Sequence, residues 1–88
     1  AFDIEGEYKQ LDYDRLSSNL YEKEIEYTIK NHKKEEIEIK IEHMLSGDWE
    51  IIESSDRYKK ESNQKVVFDV EVDSDQTKKV RFRYRVGN

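Results

Sequence analysis

The sequence predicts an all-β fold: an immunoglobulin-like antiparallel β-sandwich of six or seven strands. Apolar and charged residues alternate with period two in several segments, and polar turn-forming residues recur roughly every ten residues. No segment has the apolar spacing of an amphipathic helix. We expect a single domain over residues 1–88, because a chain of this length has room for one hydrophobic core.

The first nineteen residues give the weakest pattern. Phe2, Ile4 and Tyr8 favour an N-terminal strand with a bulge at Gly6. The residues that follow fit either a short strand or a crossing loop, and whether residues 1–19 join the sandwich stays open. The apolar residues that share no single period here are Leu11, Tyr13 and Leu16.

The clearest strand signal is the run Glu36–Glu42, in which every second residue is Ile. A helix would place Ile39 almost opposite Ile37 and Ile41, whereas a strand places all three on one face. The same alternation predicts further strands over residues 24–30, 65–72 and 79–86.

A weaker strand is predicted at Trp49–Ile52, after the turn signal Ser46-Gly47-Asp48. The polar segments Asn31–Glu35 and Asp73–Thr77 are interpreted as hairpin turns, since Asn and Asp tolerate turn conformations. The longest link, Ser54–Gln64, is interpreted as a crossover between two sheets. Its single Tyr58 is expected to cover one end of the sandwich.

Large side chains on the inward faces of these strands define the predicted core. A lone Trp in a small sandwich is more often a central packing residue than a platform for sugars. The structural core is therefore predicted to contain Trp49, Tyr27, Phe68, Phe82 and Tyr84.

Composition excludes several classes of function. A net charge of −5 repels nucleic-acid backbones, and the absence of Cys excludes disulfides and thiolate metal sites. No apolar run is long enough for a membrane span. No nucleophile motif and no phosphate-binding Gly-rich loop is present, so we expect no enzyme and no cofactor. The chain starts at Ala1 without a signal segment, which suggests a mature or excised fragment.

Three short motifs carry a family resemblance: Asn31-His32-Lys33, Asp48-Trp49 and the closing Tyr84-Arg85-Val86. In this order the chain resembles the C-terminal β-sandwich region of a bacterial family of domains of unknown function. The resemblance implies a fragment from the C-terminal part of a larger bacterial protein and an extracytoplasmic setting. It implies no catalytic residues, because the family has no agreed activity.

The most distinctive candidate binding feature is a basic strip on the predicted last strand. Its members all face outward from the core: Lys79, Arg81, Arg83 and Arg85. These side chains could form cross-strand ion pairs with Asp69 and Glu71, or with Glu38 and Glu42. They could instead dock an acidic partner, or protect an exposed sheet edge from aggregation.

Other candidate sites are weaker. His32 and His43 are too few for a metal site, and the acidic pairs Asp12/Asp14 and Asp73/Asp75 lack the pattern of a helix-loop-helix calcium site. We therefore expect surface or turn residues at these positions. The aromatic content of six Tyr and one Trp leaves a carbohydrate surface possible, with Tyr8, Tyr13 and Tyr21 as its best candidates.

These observations lead to one main functional hypothesis and one alternative. The main hypothesis is a non-catalytic structural or protein-interaction module whose partner is another domain of the parent protein or a separate protein, and which is monomeric when isolated. The alternative is a carbohydrate-binding module of the cell envelope. An exposed cluster of stacked aromatic rings would favour the alternative.

Overall fold

A computed structural model describes residues 3–87. In that range the chain forms seven β-strands. They are β1 (Ile4–Ser17), β2 (Leu20–Asn31), β3 (Ile37–Met44), β4 (Asp48–Ser54), β5 (Tyr58–Ser62), β6 (Lys65–Val72) and β7 (Thr77–Gly87). The same residues include no helix long and apolar enough to cross a membrane.

The strands form two antiparallel sheets. The four-stranded sheet has the order β1-β2-β7-β4, and the three-stranded sheet has the order β3-β6-β5. The all-β prediction and the strand number are confirmed. The strand order differs from an immunoglobulin constant domain, in which the fifth strand would occupy the position that β7 has here and the seventh would pair with the sixth.

The three-stranded sheet covers only three strands of the other sheet. β6 packs over β7, β5 over β4, and β3 over β2, so β1 is left without a strand above it among the described residues. Three contacts define this stacking: Phe68 on Phe82, with ring centroids 4.8 Å apart, the Lys60 ammonium over the Trp49 ring, at 4.9 Å, and His43 on Tyr27, at 5.9 Å.

The hydrophobic core lies between the sheets, on the inward faces of β2, β3, β4, β6 and β7. Val66, Phe68 and Val80 are fully buried at its centre. Of the predicted core residues, Trp49, Phe68, Phe82 and Tyr84 lie inside it, and Tyr27 packs against its margin. The Trp49 indole N–H donates to the Asn63 carbonyl at 2.7 Å, which satisfies its one polar atom.

The two predicted hairpin turns are wrong, because both segments connect one sheet to the other. Residues 31–35 join β2 to β3, and residues 73–77 join β6 to β7. The two crossovers lie side by side, with the Asp75 N–H donating to the Lys33 carbonyl at 3.1 Å. Asp75 has a φ of 55°, which Asp tolerates better than most residues.

Asn31 explains why both crossovers adopt these positions. Its side chain is 1% exposed, and its amide nitrogen donates to the carbonyls of Glu35, Val72 and Asp73 at 2.9–3.1 Å. Its side-chain oxygen accepts the Lys33 N–H at 2.9 Å. A buried amide with all these partners fastens the two sheets at one end of the sandwich.

β1 resolves the ambiguity of the first nineteen residues: from Ile4 it is one long strand paired with β2. The bulge predicted at Gly6 is wrong, since Gly6 pairs regularly with Ile29. Instead the register shifts at Leu11 and at Leu16, where one extra residue enters β1. Each extra residue reverses the alternation, which accounts for the missing period. Phe2 lies outside the described residues.

The predicted link over residues 54–64 does carry the chain between the sheets, but it also contains the short strand β5. β5 pairs with β6 and all five of its residues are exposed. Tyr58 lies opposite Phe68 in this pairing, with ring centroids 6.2 Å apart. It therefore covers a sheet margin rather than the end of the sandwich.

Candidate binding surfaces

The inner face of β1 is an uncovered apolar surface that continues the core side of the four-stranded sheet. All fourteen residues of β1 are exposed. Ile4, Gly6 and Tyr8 lie opposite the inward residues of β2, so they point to the side where a second layer would pack. The two bulge residues of the same strand, Leu11 and Leu16, are also exposed, at 38% and 44%.

Tyr8 marks the place where the covered part of this sheet ends. Its ring lies 5.3 Å from that of Tyr27 on β2 and 6.5 Å from that of His43 on β3, measured between centroids. The Tyr27 hydroxyl and the His43 Nδ1 are hydrogen bonded at 2.7 Å. Tyr8 is 63% exposed, so one face of its ring is open to solvent while the ring packs on the hydrogen-bonded Tyr27.

A second aromatic pair lies further along the same face. Tyr13 and Tyr21 stack with centroids 5.6 Å apart and ring planes 22° from parallel. The Lys23 ammonium lies 5.7 Å from the Tyr13 centroid and 5.4 Å from the Tyr21 centroid. Since Tyr13 is half exposed, this pair provides a stacking surface with a cation beside it.

Three titratable groups at the base of this face, His43, Tyr27 and Tyr84, favour their uncharged forms. Burial, with a smaller effect of Lys23, lowers the pKa of His43. Burial also raises the pKa of Tyr27, and burial together with nearby tyrosines raises the pKa of Tyr84 to about 12. The face is therefore an aromatic surface with hydroxyl groups, suited to flat apolar or polyhydroxyl ligands.

The basic strip of β7 lies on the opposite, outer face of the four-stranded sheet and divides into two halves. Arg83 binds Glu22 at 2.7 Å and Asp12 at 3.0 Å, and Arg85 binds Glu22 at 2.8 Å. Within residues 3–87, Lys79 and Arg81 have no carboxylate within 4 Å.

Two expectations for this strip are wrong. Its partners come from β1, β2 and β4, because Asp69, Glu71, Glu38 and Glu42 belong to the other sheet. β7 also has a strand on each side, so its charges protect no sheet edge.

Glu22 is the centre of the paired half. Its carboxylate is only 12% exposed and accepts hydrogen bonds from both Arg83 and Arg85. These hydrogen bonds, and most of all the one from Arg83, lower the pKa of Glu22. A hydrogen bond from Arg83 also lowers the pKa of Asp12. The local arrangement is an ion-pair network, which is worth more than isolated surface pairs.

The remaining polar candidates have simple structural partners. His32 Nε2 lies 3.2 Å from a Glu5 carboxylate oxygen. Asp12 and Asp14 both face Arg83, at 3.0 and 4.0 Å. Over residues 3–87, no three His, Asp or Glu side chains are grouped as metal ligands would be.

One charged feature escaped the sequence analysis: an acidic cluster on the outer face of the three-stranded sheet. Its members are Glu36, Glu38, Glu71 and Asp73. Glu38 pairs directly with Glu71 across β3 and β6, and in the described range no Lys or Arg lies within 4 Å of any member. Glu71, followed by burial and Asp73, raises the pKa of Glu36. Residues 35–42 are visibly acidic in sequence, but the strand register was needed to place Glu71 beside them.

Comparison with known proteins adds no relative to this description. No protein-family model, curated protein or solved structure matches the chain.

Proposed function

We propose that this chain is a non-catalytic protein-interaction module that binds its partner on the inner face of β1. One observation carries the proposal: every residue of a fourteen-residue strand is exposed although its inner face bears Ile4, Tyr8 and Tyr13. Sheet faces of this kind are normally buried under a second layer. The resemblance to the C-terminal region of a bacterial family agrees with a partner supplied by another domain or protein.

The chemistry of the face favours a protein partner over a small substrate. Tyr is enriched at protein interfaces because its ring contributes apolar area and its hydroxyl tolerates water. Tyr8 rests on Tyr27, which His43 holds by a hydrogen bond, so little side-chain freedom is lost when Tyr8 is covered. The face is long and open, as a protein contact requires.

A second candidate function, carbohydrate binding, is favoured by one observation. Tyr13 is half exposed and stacks on the partly buried Tyr21, which gives the kind of aromatic surface on which a sugar ring can pack. The two candidates use different ends of the same face, around Tyr8 and around Tyr13.

The test is a selection on the full chain from a displayed library of peptides, with a glycan array in parallel. Each selected ligand is then titrated into ¹⁵N-labelled protein and its amide shifts are mapped. We expect peptides whose shifts centre on Ile4–Gln10 and whose affinity falls about tenfold or more with Tyr8→Ala, because exposed Tyr anchors dominate such contacts.

The matched control is Tyr58→Ala, an exposed Tyr on the opposite sheet that should leave peptide affinity unchanged. Glycans that bind the original chain and lose affinity for Tyr13→Ala would support carbohydrate binding instead. Peptides whose binding ignores Tyr8→Ala, or a selection that returns no ligand for this face, would overturn the proposal.

A further inference from the structure

The two sheets differ by one strand, and the difference falls at a defined position. β3 is the outermost strand of its sheet and lies over β2, so the place beside β3 is directly above β1. Ile37 and Ile39, on the core side of β3, are only partly buried for the same reason. A strand added at the edge of β3 would cover these residues and the Ile4–Tyr8 part of β1 at once.

The backbone of β3 has hydrogen-bonding groups available along that edge. The Leu45 N–H donates to the Gln64 carbonyl at 2.8 Å, in the same register as the β3–β6 pairs. Hydrogen-bonded residues alternate along an antiparallel strand, so the N–H and C=O groups of Glu38, Lys40 and Glu42 point away from β6. These are the groups that an incoming strand would pair with.

The charges on β3 indicate which side chains the incoming strand should have. Its outward row consists of Glu36, Glu38, Lys40 and Glu42. Glu38 faces Glu71 across the ladder, which leaves the start of the row repulsive and without a cation. Lys or Arg at alternate positions of an incoming strand would relieve this repulsion, and apolar residues between them would point onto β1.

The same charges disfavour a second copy of the chain as the occupant. Lys40 is the one cation of this row, so no antiparallel register of two β3 edges places a cation opposite both Glu36 and Glu38. Addition to the free edge of β1 would only widen the four-stranded sheet and leave its inner face uncovered.

We propose that an extended peptide alternating Lys or Arg with apolar residues, aliphatic or aromatic, adds to the free edge of β3 as an eighth strand and covers the inner face of β1. This inference rests on the proposed interaction function and names its partner and its mode of binding. The protein already contains the corresponding arrangement: the basic row of β7 lies beside Glu22, Glu24 and Glu26 of β2.

The probe is therefore a synthetic peptide with the sequence of residues 77–87, Thr-Lys-Lys-Val-Arg-Phe-Arg-Tyr-Arg-Val-Gly. It is titrated into the ¹⁵N-labelled full chain at low salt. We expect amide shifts in β3 and in Ile4–Tyr8, with intermolecular contacts to Glu38 and Lys40. The same peptide with every Lys and Arg replaced by Glu should not bind.

Lys40→Pro is the decisive variant, because it removes an N–H that points to the free edge and breaks no bond to β6. It should weaken the peptide about tenfold, whereas Lys40→Ala, which keeps the N–H and removes a positive charge, should bind at least as well as the original. Glu38→Lys should weaken peptide binding a few-fold. This second variant tests the same mode of binding even if Lys40→Pro does not fold.

The outcomes separate this inference from the function on which it rests. Equal affinity of Lys40→Pro, Lys40→Ala and the unchanged chain would overturn strand addition, as would shifts confined to β2 and β4, which would indicate exchange with β7. If the library peptides still lose affinity with Tyr8→Ala in that case, the proposed interaction function stands without strand addition at β3. If the probe and the library both fail to contact β1, both proposals fall.

Discussion

β1 and β7 belong to the same sheet, β1 as its longest strand and β7 as one of its two inner strands, yet their surroundings differ. In β7 every second residue from Val80 to Val86 is buried under β6, and the residues between them face carboxylates or solvent. In β1 all residues are exposed and two bulges interrupt the ladder. A strand keeps strict alternation where a second layer penalises any slip, and it tolerates extra residues where none does.

The comparison also separates two uses of charge. Arg83 and Arg85 of β7 are held by carboxylates from β1, β2 and β4, so this half of the basic strip is neutralised within the molecule. The carboxylates at the start of β3 have no such partners among residues 3–87. Binding should therefore occur where burial and charge are both incomplete, along β1 and the adjacent edge of β3.

The largest expected loss of stability comes from Phe82→Ala in β7. Phe82 is 1% exposed and contacts Phe68, Tyr84 and His43, with centroid distances of 4.8–5.9 Å. Its truncation should lower the free energy of unfolding by about 3–5 kcal/mol, measured by urea denaturation, because it leaves a cavity between the sheets. In a domain this small that loss approaches the total stability.

The matched change in β1 is Leu16→Ala, at a bulge residue that is 44% exposed. We expect a change of about 0.5 kcal/mol or less. Equal effects at Phe82 and Leu16 would mean that β1 is covered in solution, and would contradict the contrast between the strands.

Much of this architecture could be predicted from period-two alternation alone. The strands around Ile39, Phe68 and Phe82 were identified because one face of each is buried and the other is wet. The connections between strands were not predicted correctly. A polar segment of five residues has the same composition whether it joins two neighbouring strands of one sheet or crosses to the other sheet. Only the buried contacts of Asn31 distinguish the two cases, and they join residues far apart in sequence. β5 escaped because every residue in it is exposed.

The candidate surfaces were predictable in part. Tyr8, Tyr13 and Tyr21 stood out as aromatic residues in a poorly patterned segment, and they do lie together on one face. The basic strip was visible, but its partners depended on a register that the sequence does not contain. The acidic cluster around Glu38 needed the same register, because it combines the start of β3 with the end of β6.

An intermediate effect is expected from Glu22→Gln, which tests the neutralised outer face of β7. The variant should lose stability, less than Phe82→Ala but more than Glu24→Gln, since Glu24 has no ion pair within 4 Å in residues 3–87 and Glu22 binds two Arg side chains. Thermal denaturation at pH 7 measures both. A larger loss for Glu24→Gln would show that the network around Glu22 does not stabilise the sheet.

The pH dependence of the same variant has a defined sign. The pKa of Glu22 is lower in the folded chain than its ordinary value of 4.5, so the folded state favours the charged form. Its contribution is therefore complete above about pH 4.5 and is lost as the pH falls through the lowered pKa. The stability difference between the original chain and Glu22→Gln should shrink over that acidic range and stay constant near neutral pH.

A small effect is also expected from deletion of Leu11, and this variant sharpens the comparison of β1 with β7 most. Gln10 pairs with Ile25 and Asp12 with Glu24, so Leu11 is the extra residue of a bulge. Its deletion would leave a regular ladder with Asp12 still facing outward toward Arg83, and the stability should change by about 1 kcal/mol or less. Removal of a residue from inside a strand normally turns every later side chain to the other face.

Deletion of Arg81 in β7 is the control that shows this normal result. It would turn either end of β7 outward from the core, with Phe82 or Val80 among the displaced residues, and the chain should not fold. The two deletions are compared by amide dispersion and urea denaturation. A folded Arg81 deletion, or an unfolded Leu11 deletion, would show that the tolerance of β1 does not come from its bulges and missing cover. If both expectations hold, the backbone of β1 is free to vary because no strand among residues 3–87 covers its inner face. A partner strand at β3 would change that condition.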